Sequence, residues 1–127
     1  MESFRRLRSE REAAARARAR ATLDGGSCGL RLSGHSAGGY NGTYEAVDEH
    51  DGWPVLQNEY GNCLFRRLRS PKWYLAPKHT PESNTSNAHI SEEDGSFPIG
   101  EHAWDVWNER SRSFEPRTLT MRVVVRV

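Results

Sequence analysis

Residues Tyr40 to Pro77 read YNGTYEAVDEHDGWPVLQNEYGNCLFRRLRSPKWYLAP, and this stretch decides the fold. Turn signals divide it. Asn41-Gly42 is a tight-turn dipeptide and Asp51-Gly52 a hairpin signal. Gly61-Asn62 and Ser70-Pro71 turn the chain twice more. Between the turns run Thr43–Val47, Val55–Tyr60, Cys63–Leu68 and Lys72–Ala76, each too short for a helix. Thr43–Val47 alternates, with Tyr44 and Ala46 on one side. Pro54 suits a strand start or an edge, because it cannot donate to a ladder. The stretch therefore predicts a series of short antiparallel strands.

The reading extends outward on both sides. Upstream, SCGLRLSG (27–34) places Leu30 and Leu32 on one face of a further strand. Downstream, Pro77 to Gly100 is polar and predicts a long irregular loop with one short strand around Ala88–Ile90. Phe97 and Ile99 are expected to fold this loop back onto the body. Ala103–Asn108 is another strand. Leu119–Val127 alternates, with Leu119, Met121, Val123, Val125 and Val127 on one face. Left unpaired, such a strand is an aggregation hazard. It is expected beside Leu30–Leu32 or Thr43–Val47. The fold class that follows is mainly β: a small antiparallel sandwich or barrel of roughly six to eight strands.

The N-terminal segment differs in texture. Residues 2–22 are rich in Ala, Arg and Glu and lack Gly and Pro, which predicts a basic α-helix. Phe4, Leu7, Ala14 and Ala21 fall near one face, interrupted by Arg11 and Arg18. Such a thin stripe does not hold a helix by itself and calls for a partner surface, the chain's own body or another protein. The chain of 127 residues carries a net charge of +1, yet Met1–Thr22 alone is net +4 and the remainder net −3. The division is a basic arm and linker over 1–26 and a single β-domain over 27–127.

Motifs for chemistry are sparse. Cys28 and Cys63 form no CxxC pair, and the choice between two thiols and one bridge stays open. His35, His50, His79, His89 and His102 show no i, i+4 or HExxH spacing. The acidic runs Asp48-Glu49-His50-Asp51 and Glu92-Glu93-Asp94 lack calcium-loop spacing. Gly34-His35-Ser36-Ala37-Gly38 has the letters of a nucleophile elbow, but a strand follows where a helix is required. No catalytic residue, metal site or cofactor is expected. No apolar run approaches the ~20 residues of a membrane span, and no secretory leader is visible. The expected location is intracellular, in the cytoplasm or an organelle.

The order Gly39-Tyr40-Asn41-Gly42-x-Tyr44, Gly52-x-Pro54-Val55, Leu64-Phe65, Trp73-Tyr74-Leu75 and late Trp104 resembles a small repeated β-module of algal and protist multidomain proteins. The resemblance spans roughly residues 30–127 and departs from the pattern at Leu56, where an aromatic is usual. It implies a structural or adaptor role and carries over no catalytic residue.

These readings favour a non-enzymatic protein-interaction or scaffold module, an accessory subunit of a larger assembly. It would dock through Phe4, Arg5, Leu7, Arg8 and Arg11. The alternatives are a carbohydrate-binding domain using Trp53, Tyr60 and the 77–100 loop, or a nucleic-acid-binding protein using the arm. Arg66, Arg67, Arg69 and Lys72 beside Trp73 and Tyr74 would support the latter, with bases stacking on the aromatics. Trp53, next to a turn, is the aromatic expected to be exposed.

Overall fold

The computed structural model describes residues 10, 13–21, 23, 27–50, 52–66, 72–77, 86–92 and 96–125. Within these, residues 13–21 form a helix, α1. The strands are β1 (Ser27–Ser33), β2 (Gly42–His50), β3 (Trp53–Gln57), β4 (Cys63–Arg66), β5 (Lys72–Ala76), β6 (Ala88–Ser91), β7 (Gly100–Asn108) and β8 (Ser113–Val125). Each strand pairs antiparallel with the next, and β8 pairs with β1 to close a barrel. The C-terminal strand thus lies where the sequence placed it, with Leu30 opposite Val123 and Leu32 opposite Met121.

An eight-stranded barrel has an interior that side chains can fill. Leu30, Leu32, Tyr44, Leu56, Leu64, Trp73, Leu75, Trp104, Leu119 and Met121 are each at most 1 % exposed and occupy this core. They are the inward positions of the period-2 pattern. β3 to β5 are buried on their other face as well, where Val55, Cys63, Phe65, Tyr74 and Ala76 form a second cluster. That double burial explains why these strands read as near-continuous apolar runs. The Cys63 side chain is buried in this cluster.

Because the strands alternate in direction, the connections divide between two ends. The β2–β3 turn at Gly52 and the β6–β7 connection share one end. The β1–β2, β3–β4 and β7–β8 connections share the other. Helix α1 packs at the first end. Ala19 is fully buried among core residues, Ala15 is buried, and Leu23 packs against the same cluster. Arg20 makes an ion pair with Glu49 of β2. The Arg16 chain passes close to Gly52.

The stripe buried against the barrel is therefore Ala15, Ala19 and Leu23, distinct from the one that holds Ala14 and Ala21. Ala14 and Ala21 are exposed. A run of alanines has no intrinsic phase. Contact with the barrel selects the face, and the small Ala19 side chain permits the close approach.

β8 also begins earlier than its apolar pattern indicates, at Ser113. Pro116 lies in this added part, where β1 no longer pairs with β8. A proline is tolerated on such a one-sided strand. At the opposite end of the β1–β8 ladder, the register shifts between Ser27 and Gly29. Gly29 has φ 153°, and a Cβ there would lie 2.2 Å from the Tyr44 carbonyl oxygen. Gly29→Ala is expected to destabilise the barrel by about 3 kcal/mol, the range for backbone strain plus a rigid clash. Urea unfolding of the variant checks this.

Candidate functional site

The residues singled out by sequence do not converge. Phe4, Arg5, Leu7, Arg8 and Arg11 lie outside the described residues. Trp53 and Tyr60 sit at opposite ends of the barrel, one opening β3 and the other in the β3–β4 turn. Tyr60 is 65 % exposed. Trp53 is half-buried, which overturns its expected exposure. Its ring meets Trp73 edge-on at 6.0 Å between centroids. The Arg66 guanidinium lies over it at 4.6 Å, and 5.4 Å from the Trp73 ring.

Arg66 is itself buried, and its Nη2 donates to the Glu92 carbonyl at 2.5 Å. It points along the inward face of β4, between two indoles that hold a desolvated cation by their negative faces. The basic-aromatic patch expected to track phosphates is thus turned inward at this position. Arg67 and Arg69 lie outside the described residues. Phe97 stacks on Trp73 at 4.5 Å and the Trp73 Nε1–H donates to the Ser96 carbonyl, which closes this end together with α1.

The other end is polar and open. β7 and β8 extend past the end of β1 as a hairpin, and a cleft of about 520 Å³ lies between it and the β1–β2 loop. The cleft is lined by His35, Asn87, Asn108, Arg110, Glu115 and Arg117, among others. The inward face of β8 runs Met121, Leu119, Arg117, Glu115, passing from core into cleft. Asn108 lies on the matching face of β7, beyond Trp104 and Val106.

Local hydrogen bonds make the walls rigid. The Asn41 side chain accepts from the His35 backbone N–H and donates to the His35 carbonyl. Asn58 donates to the Gly39 carbonyl and accepts from the backbone N–H groups of Tyr60 and Asn62. Tyr44 donates its hydroxyl proton to the Tyr40 carbonyl, and burial raises the Tyr44 pKa. His35 stacks on Tyr40 at 4.8 Å.

His35 is committed to structure. Its Nδ1 accepts from the Ala37 N–H at 2.9 Å, so Nε2 carries the proton and donates to Asn87 Oδ1 at 2.6 Å. Desolvation lowers its pKa; the Asn87 bond opposes this and the nearby Arg117 charge adds to it. With both ring nitrogens occupied, His35 is no base for Ser36. Among the described residues, no group of three or more His, Cys, Asp or Glu could hold a metal ion. None of the helices described is long and apolar enough to cross a membrane.

The sequence reading missed Arg117, Glu115, Asn108 and Asn87. The available signal was the alternation of Leu119 continuing as Arg117 and Glu115 toward the chain's last turn. Comparison with known proteins adds nothing to the geometry: no family model, curated protein or solved structure matches the chain.

A neutral His35 gives a pH test. The unfolded chain protonates this residue near pH 6.5, whereas the folded one resists the proton. Its contribution to stability is present above that pH and is lost as the pH falls toward the lower folded value. Thermal unfolding at pH 7.5 and 5.5 should show a lower Tm at the acid value. The difference should shrink in His35→Gln, which cannot titrate.

Proposed function

We propose that the protein is a non-enzymatic interaction module, an accessory subunit that docks on a protein partner through its Arg-rich N-terminal helix. The observation that carries this reading is the way α1 is held. Ala15, Ala19 and Leu23 face the barrel, and Arg20 is tied to Glu49. Ala13, Ala14, Ala17, Arg18 and Ala21 are exposed.

A helix needs one apolar face to pack on its own body. Here a second, alanine-lined face is left on the outside, where another protein's backbone can approach closely. Phe4, Arg5, Leu7, Arg8 and Arg11 precede this anchored segment in the chain and supply the larger side chains that interface centres use. The resemblance of residues 30–127 to a repeated β-module fits a scaffold that carries the arm. A core filled by tryptophan, tyrosine and leucine side chains likewise suits a scaffold more than a carrier of ligands in its interior.

Two variants separate docking from folding. Phe4→Ala/Leu7→Ala should reduce partner retention in affinity capture from native cells at least 10-fold, with the Tm unchanged. Ala19→Arg, which forces a charge into the core, should lower the Tm as well. Retention that survives deletion of residues 1–12 would overturn the reading.

A further inference from the structure

The polar cleft opposite α1 is lined by Glu109, Arg110, Glu115 and Arg117, and two of these, Arg117 and Glu115, are opposite charges on one strand that do not neutralise each other. Arg117 and Glu115 lie on one face of β8, two residues apart, which is about 7 Å along an extended strand. They form no ion pair, and each is tethered by a neutral group. Arg117 Nε donates to the Gly34 carbonyl at 2.7 Å. Glu115 Oε2 accepts from Asn108 Nδ2 at 2.8 Å. The Nη groups of Arg117 and the Oε1 of Glu115 have no partner among the described residues. Across the cleft, His35 is neutral, and Asn87 spends its Oδ1 on His35, which leaves its amide N–H groups for another acceptor.

From this arrangement we infer that the cleft binds a small zwitterion of the amino-acid or dipeptide type. The ligand carboxylate lies on the Arg117 fork, whose planar N–H groups match a carboxylate's two oxygens. The ligand ammonium lies on Glu115. A volume of about 520 Å³ accommodates a molecule of that size. Tethering of both side chains reduces the ordering cost of binding. The neighbouring carboxylate selects against phosphate and other multiply charged anions, since like charges at this spacing repel. This inference concerns the end of the barrel opposite the docking helix and does not depend on the docking proposal.

The test is an NMR titration of the isotope-labelled full chain, following the side-chain amides of Asn87 and Asn108 and the Arg117 Nε–H. The probes are glycylglycine, N-acetylglycylglycine, glycylglycine amide and inorganic phosphate. Glycylglycine is expected to give saturable shifts, with each blocked form at least 10-fold weaker. Glu115→Gln keeps an acceptor for Asn108 and so preserves the wall. It should weaken glycylglycine at least 10-fold and leave N-acetylglycylglycine no weaker than before. The inference is overturned by any of three results: no saturable shift with glycylglycine, tighter binding of phosphate than of glycylglycine, or unchanged glycylglycine binding in Glu115→Gln.

Discussion

Pairing of β1 with β8 is the constraint on which the rest of the structure depends. Without it, the strand order β1 to β8 would form an open sheet with two exposed edges, each a template for association. With it, the inward residues of every strand face one another across a common interior. Each can then be fully buried, as Leu30, Tyr44, Trp73 and Leu119 are. The register of closure also sets the shape of both ends. Since Ser33 of β1 lies opposite Thr120 of β8, everything from Ser113 to Leu119 extends past β1. The polar cleft is a direct result of that unequal length.

The two ends are finished by different chemistry. At the helix end, aromatic rings and aliphatic groups exclude water around one cation: Trp53, Trp73 and Phe97 pack near Arg66, and Ala19 seats the helix. At the cleft end, asparagine side chains replace backbone partners that the loop residues lack. Asn41 satisfies both the N–H and the carbonyl of His35, and Asn58 ties the β3–β4 turn to Gly39. Amides suit this role because each carries a donor and an acceptor, so one side chain can close a turn in both directions.

Much of the barrel was legible because its strands obey period 2 between strong turn signals. Lys72–Ala76 and the short strand around Ala88 were read from pattern and lie where expected. The cleft was not legible, for a physical reason. Hydrophobic alternation marks a strand only where one face is buried, and the overhanging part of β8 carries Arg117 and Glu115 on the face that is Leu119 further along. The partial burial of Trp53 was hidden because an aromatic beside a turn has no pattern to show which way it points. The face by which α1 packs on the barrel was not legible, because alanines on every side leave the phase to tertiary contact.

Closure also has a kinetic side. Every ladder but one joins strands adjacent in sequence, and such hairpins form within about 1–10 μs. The exception brings Ser27 to Val125, nearly the whole length of the β-region. Its loop-closure entropy is the largest of any ladder in the barrel and is paid before its contacts return anything. Until it is complete, the valines of β8 and the leucines of β1 sit on open edges. Closure of this one ladder is thus also what removes the chain's exposed strand edges, the templates for association.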